Sequence, residues 1–375
     1  MPAPVTAPPP PPLPPYRCPR DGTTADAATA HWCCPECRGP WDLDFTPAGP
    51  LDRNTLARRV NSLWRYREAL PLADPAVSLG EGRTPLVALT GTVSAKLDHL
   101  MPTLSFKDRG AVMLAELARR LGPDRVVADS SGNAGTSVAA YCARAGLPCT
   151  VYVPEGTSAK KTEQIRAHGA RLEIVPGDRT ATALAARAAA DEPGTFYASH
   201  VFNPYFLHGT KTYVYELWED LGGRLPDALA VPVGNGTLLL GAALATAELL
   251  AQGLVDRRPA LIAVQAEAVS PLAAGFHAGA AALRQPAAPA PTLAEGIAIA
   301  DPPRAAQILA AVRESGGTFR TVTEEQIREA QRDLARRGLY AETTAVACWA
   351  AVGGWTDGSV VVPVCGAGLK TGMAA

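Results

Sequence analysis

Pro102-Thr103-Leu104-Ser105-Phe106-Lys107-Asp108-Arg109-Gly110 sets one lysine between an aromatic residue and an acid, at the start of an Ala/Leu/Glu-rich helical stretch. A charged run such as Lys107-Asp108-Arg109 is by default a solvated helix start. An amine used in chemistry needs partial desolvation, to lower its pKa, and a fixed direction of approach to a carbonyl. Phe106 offers the first of these, so Lys107 is a candidate Schiff-base lysine. Beyond it, short apolar runs alternate with Ala-rich amphipathic stretches. Residues 125–129, 148–153, 171–175 and 195–198 read as strands, with helical stretches such as 136–145 and 159–168 between them. A second set follows, with strands at 228–233, 260–264 and 360–364 and helices at 238–252 and 324–337. Strands separated by helices of this length predict right-handed βαβ crossovers and parallel sheets. The economical fold is α/β, with two lobes and a ligand-holding cleft at the carboxyl ends of the strands.

A chain of 375 residues can bury a large core and form two lobes plus a small appendage. The formal net charge is −1 and the pI about 6.6, so no broad basic surface is available for nucleic acid or an anionic membrane. Asn235, Gly236 and Glu248 interrupt the most apolar region before it reaches the ~18 residues of a membrane span. The first residues lack the basic start and apolar core of a signal peptide, and eight cysteines are too sparse for a disulfide scaffold. A cytoplasmic home is expected.

Nine of the first fifteen residues are proline, which predicts an extended, disordered tail. Cys34-Pro35-Glu36-Cys37 then has the spacing of a zinc knuckle, which sets two thiolates on one tight turn. A matching second half would need cysteine at position 21, where the chain has Asp21. Cys18, Cys34 and Cys37 are the candidate metal ligands, with His31, Asp21 or Cys33 open as the fourth. Otherwise the segment is a degenerate ribbon that persists as a packed appendage.

Two loops join a predicted strand to a predicted helix. Val233-Gly234-Asn235-Gly236-Thr237-Leu238 places glycines and free amides at a helix start, as a phosphate requires, although a Gly-rich turn of no special purpose has the same look. Thr237 can cap the helix or donate its hydroxyl to the anion. Asp129-Ser130-Ser131-Gly132-Asn133-Ala134-Gly135-Thr136 offers a second row of unpaired amides, suited to a carboxylate, and Asn133 can bind a phenolic oxygen. A ligand with a phosphate, a carboxylate and an aldehyde-derived imine fits the two loops and Lys107 together. Pyridoxal phosphate carrying an amino acid has those three handles.

Ser105-Phe106-Lys107-Asp108-Arg109-Gly110, Ser131-Gly132-Asn133, Val231-Pro232-Val233-Gly234-Asn235-Gly236 and Cys365-Gly366-Ala367-Gly368-Leu369-Lys370 resemble, in order, the motifs of threonine synthase-like enzymes. These belong to the tryptophan synthase β-subunit superfamily, fold type II, and the resemblance spans roughly residues 78 to 371. It implies two parallel-sheet lobes with the cofactor in the cleft. The chain then divides into a Pro-rich tail (1–15), a zinc-ribbon-like segment (16–45), a large cofactor-binding lobe (46–104 and 206–375) and a small substrate lobe (105–205). It implies Lys107 as the cofactor lysine, Phe106 beside the ring, Asn133 near the phenolic oxygen, Gly234, Asn235, Gly236, Thr237 and Leu238 at the phosphate, and Cys365 at the pyridine nitrogen. Ser131, Gly132, Asn133, Ala134 and Gly135 would receive the substrate carboxylate. A neutral thiol at the ring nitrogen favours expulsion of a β- or γ-substituent over racemisation or transamination.

The resemblance also shows a departure. Family members grip a substrate phosphate with an asparagine, a serine and an arginine, and these positions fall on His200, Val201 and Phe206. Phenylalanine has neither charge nor fork geometry, so O-phosphohomoserine is not the expected substrate unless Lys211, Arg83 or His200 restores the grip. His200 and His208 are open between proton transfer and structure, as Glu295 and Glu342 are between orienting substrate and holding a loop. The expected activity is elimination or replacement on an amino acid by a homodimeric lyase or synthase. The alternatives are a serine/threonine ammonia-lyase or cysteine synthase-like enzyme, a true threonine synthase, and a non-catalytic scaffold.

Overall fold

The computed structural model describes residues 12–29, 31–72, 74–157, 159–283 and 290–374. Most of the expected proline-rich tail, residues 1–11, lies outside them. A six-stranded sheet runs in the order Thr318–Val322, Ala260–Ala266, Ala228–Pro232, Val360–Pro363, Val93–Lys96 and Leu86–Ala88, with only the last strand antiparallel. A four-stranded, wholly parallel sheet has the order Arg171–Val175, Cys149–Pro154, Arg125–Ala128 and Thr195–Tyr197.

The apolar strands of the larger sheet are covered on both faces, as parallel sheets require. Leu229, Val231, Leu261, Ala263 and Val361 enter one core; Ala230, Ile262, Val264, Val360 and Val362 enter another on the opposite side. The helix Lys107–Leu121 packs Ala111 to Ala118 into a third core with Val126, Ala128 and Phe196 of the smaller sheet. Gly122 ends this helix in the left-handed conformation, at φ 65°.

Every strand expected from the sequence is present. Three strands of the larger sheet escaped the sequence pattern. Val93–Lys96 was hidden by Ser94 and Lys96, and the structure buries Lys96 completely: its Nζ donates to Thr84 O (2.6 Å) and meets Asp220 (2.8 Å) and Glu216 (3.0 Å). Thr318–Val322 and Leu86–Ala88 are edge strands with exposed positions that dilute their apolar character.

Ahead of both sheets, Tyr16–Arg17 pairs with Thr24–Ala25 and Asp42–Leu43 in a small antiparallel sheet. Tyr16, Cys18 and Trp41 from this ribbon share the core of helix Lys107–Leu121. Among the described residues, no helix is long and apolar enough to cross a membrane.

Candidate active site

Three segments distant in sequence are laced together by their backbones. Ser105 forms an antiparallel bridge with Gly366, and Ala341 does so with Ala367. Phe106 N donates to Cys365 O (3.0 Å), Ala367 N to Leu104 O (3.1 Å) and Glu342 N to Gly366 O (3.0 Å). Lys107, Cys365 and Glu342 are thereby fixed around one point. Cys365 lies just past the strand Val360–Pro363, while the Ser130 and Gly234 loops follow Arg125–Ala128 and Ala228–Pro232. The carboxyl ends of both sheets open onto one cavity of about 350 Å³. It continues past the Ser131–Asn133 loop and Glu342 into a second space of about 470 Å³.

The charged run around Lys107 is not a solvated helix start. Asp108 is buried and accepts from Thr103 and Ser137, and Arg109 is buried against Asp98 and Glu216. Lys107 differs from both. Its Nζ lies 4.5 Å from the ring centre of Phe106 and 5.7 Å from that of Phe206, and among the described residues no acceptor takes its protons. Desolvation lowers its pKa to about 8, against a pull upward from Cys365 and Glu342. A nucleophilic amine is therefore far more available here than on an exposed lysine.

Asn133 begins the helix Asn133–Ala145 and is held from two sides. Its Nδ2 donates to Glu342 (2.9 and 3.2 Å), and its Oδ1 accepts from Lys370 Nζ (2.9 Å). Ser131, Gly132 and Ala134 line the cavity beside it, whereas Gly135 braces the loop from behind: a Cβ there would lie 1.8 Å from Ser130 O. Cys365 is buried, and its thiol approaches Glu342 Oε1 at 3.8 Å. Burial, then the Glu342 charge, pushes that thiol well above its usual range, so it stays protonated. Burial also raises the pKa of Glu342 itself.

At the opposite end, Gly234, Asn235, Gly236, Thr237 and Leu238 line the cavity where the helix Thr237–Ala251 begins. Gly236 is its N-cap, at φ 73°, and supplies no side chain to the first amides. Those donors are left for a ligand, reinforced by the dipole of a 15-residue helix.

The structure brings Phe106, Lys107, the Ser131–Ala134 run, His200, the Gly234–Leu238 run and Cys365 to this cavity. Phe206 is not part of the lining. It is fully buried behind Lys107, its ring 5.8 Å from that of His200. His200 is buried, and desolvation followed by the charges of Lys107 and Arg179 holds its pKa well below the ordinary value, leaving a neutral imidazole. His208 packs against Phe45 away from the cavity. Of the three residues named as a replacement phosphate grip, His200 reaches the cavity but as a neutral imidazole, whereas Lys211 pairs with Glu248 (2.7 Å) and Arg83 with Asp220 (2.9 Å) away from it. Arg179 does line the cavity, from the first turn of helix Arg179–Ala190. It stands outside every motif, so only the fold reveals it. Glu342, which the sequence left without a definite role, is the residue that joins Asn133 to Cys365. Cys18, Cys34 and Cys37 lie together in the ribbon, remote from the cavity.

A family model described as "Pyridoxal-phosphate dependent enzyme" matches residues 77–366. The chain is 36% identical to a threonine synthase of Mycobacterium leprae over 324 residues, 81% of this chain and 87% of that protein. It is 32% identical to a threonine synthase of Methanosarcina acetivorans over 342 residues, covering 88% and 84%. Among solved structures, a T.th. threonine deaminase aligns with a TM-score of 0.66 at 29% identity, covering 76% of this chain and 92% of that one. Maize serine racemase aligns with a TM-score of 0.68 at 20% identity, covering 87% and 95%.

The residues present fit that cofactor. An amine without an acceptor suits its aldehyde, a helix start without a side-chain cap suits its phosphate, and a protonated thiol suits a ring nitrogen. A Cβ on Gly234 would reach Ile299 at 2.8 Å and narrow the cavity beside this helix start.

Proposed function

The chain belongs to the pyridoxal-phosphate dependent enzymes, within the threonine synthase-like branch of fold type II, and on that premise we propose that it eliminates or replaces a β- or γ-substituent of a free amino acid. The observation that carries the proposal is the meeting of Lys107, the Ser131–Ala134 loop, the uncapped helix start at Gly236 and Cys365 on one cavity. When bound, pyridoxal phosphate supplies an electron-poor ring that draws off negative charge left at the amino acid's Cα. The amides of Gly234 to Leu238 hold the phosphate, and those of Ser131 to Ala134 hold the substrate carboxylate. Lys107 Nζ, tuned to about 8, takes the proton from Cα. Phe106 shields that nitrogen from water on one side and Phe206 on another. The neutral Cys365 thiol gives the ring nitrogen only a weak hydrogen bond, which favours loss of a leaving group over racemisation.

The same proposal divides the chain into a large cofactor lobe (46–104 and 206–375), a small substrate lobe (105–205) and the ribbon. It also includes a cytoplasmic home, supported by eight cysteines that are all free thiols, a homodimeric assembly, and a structural zinc at Cys18, Cys34 and Cys37. An amino-acid panel assayed for ammonia, keto acid and replacement products tests the chemistry. Turnover of an amino acid bearing a β-leaving group, with little phosphate release from O-phosphohomoserine, is the expected outcome.

Arg179 favours a second reading. It offers a guanidinium to an anionic substituent at the mouth of the cavity, and the relatives quoted are named threonine synthase. Rapid phosphate release that falls about 100-fold in Arg179→Gln would establish this reading over the first.

A further inference from the structure

The two turns of the ribbon have the same backbone. In the first, Cys18 N donates to Thr23 O (2.7 Å) and Gly22 N to Cys18 O (3.0 Å); in the second, Cys34 N donates to Gly39 O (3.0 Å) and Arg38 N to Cys34 O (2.9 Å). The residue four positions after each leading cysteine is left-handed in both, Gly22 at φ 77° and Arg38 at φ 54°. Three positions after the leading cysteine stands Asp21 in the first turn and Cys37 in the second. Asp21 thus occupies the place of the fourth cysteine of a paired knuckle.

The donor atoms have converged accordingly. Cys18, Asp21, Cys34 and Cys37 each present one ligand atom, and all four lie within 4.8 Å of one another. Cys18 Sγ is 3.4 Å from Cys37 Sγ, and Cys34 Sγ is 3.5 Å from Asp21 Oδ2. Tetrahedral zinc, with bonds of roughly 2.3 Å to sulfur and 2.0 Å to oxygen, needs edges of roughly 3.5–3.8 Å. Among the described residues, neither His31 nor Cys33 belongs to this converged group, and Cys33 is packed instead with Val201 and Phe202.

We propose that Cys18, Asp21, Cys34 and Cys37 form a closed four-ligand zinc centre, and that this centre braces the segment 200–206, which carries His200 into the cavity. The proposal extends the structural-zinc part of the reading above and is independent of the cofactor. The brace is visible in the contacts. Trp41 N donates to Phe202 O (3.2 Å), Asn203 Nδ2 to Tyr16 OH (3.4 Å), and the Trp32 ring packs edge-on against Phe202 at 5.1 Å. Arg304, fully buried, donates to Trp41 O, Val201 O and Asp42. The ribbon therefore holds the segment that carries His200 to the cavity and Phe206 behind Lys107. Four ligands leave no open position, so the centre is structural rather than catalytic.

The test uses the full-length holoprotein. Elemental analysis is expected to find about one zinc per chain, and cobalt(II) exchanged into the site to give thiolate-to-metal charge-transfer absorption. Asp21 is on the surface, so Asp21→Ala leaves the core untouched; it should weaken cobalt(II) binding by at least about 10-fold, while Asp21→Cys retains it. Removing zinc with a chelator should speed hydrogen exchange across residues 200–204. Zinc that is present but indifferent to Asp21→Ala would overturn the ligand assignment alone. Absence of zinc, failure to take up cobalt(II), or a Cys18–Cys37 disulfide under reducing purification would overturn the centre itself. Unchanged exchange at 200–204 after chelation would overturn the brace.

Discussion

At Lys107, the cost of partly desolvating a cation is turned into reactivity. The side chain has aromatic rings where a surface lysine has water, and its ordinary value of 10.5 falls to about 8. The neutral amine is the nucleophile, so capture of the cofactor aldehyde by apoprotein should accelerate as pH rises through about 8 and level off above it. Stopped-flow uptake of pyridoxal phosphate across pH reads this directly, and a midpoint near 10 would return Lys107 to the status of an ordinary lysine. Phe206 teaches the opposite lesson about local sequence. It marks the missing arginine by alignment, yet the structure buries it completely behind the site. Phe206→Arg should not restore a phosphate grip; it should destabilise the fold by about 3–5 kcal/mol through an unpaired buried charge, measurable by denaturant titration. Lys107 and Phe106 were legible because their chemistry depends on adjacent residues. Arg179 and the joining role of Glu342 were not, because only the fold brings them to Lys107.

Among the elements, the decisive one is the backbone lacing of Leu104–Phe106, Cys365–Ala367 and Ala341–Glu342. Gly366 permits it, since a Cβ there would fall 2.2–2.4 Å from the Glu342 carboxyl group. Gly366→Ala is expected to cost about 1–3 kcal/mol and to weaken cofactor affinity together with thermal stability. Gly236 has a separate duty at the uncapped helix start proposed for the phosphate, where a Cβ would strike Ile308 at 2.4 Å in a left-handed backbone. Gly236→Ala should raise the cofactor's dissociation constant by more than about 10-fold, read by equilibrium dialysis. The buried parallel strands and amphipathic helices announced themselves by period and by length. Val93–Lys96 did not, because Lys96 in a core strand is tolerable only once Glu216, Asp220 and the Thr84 carbonyl have been folded around it.

For the molecule as a whole, the two sheets deliver their carboxyl ends to one cavity while the ribbon clasps the segment 200–206 beside it. Arg304 is the clasp's central pin, spanning Trp41 and Asp42 of the ribbon and Val201 of that segment. Arg304→Met should leave the carbonyls of Trp41 and Val201 without this donor, at about 1–3 kcal/mol each, and lower the melting temperature. A variant as stable as wild type would mean that the ribbon is an appendage. The general architecture could be read from the alternation of strands and helices, but the ribbon's seat against residues 200–206 could not, since no pattern links segments so far apart. The claim on which the whole molecule's chemistry turns is that Lys107 carries the cofactor. Borohydride reduction of the holoprotein followed by peptide mass mapping tests it: the reduced adduct should lie on Lys107 and vanish, with the visible absorption band, in Lys107→Ala. An adduct on another lysine, or none on wild type saturated with pyridoxal phosphate, would contradict it.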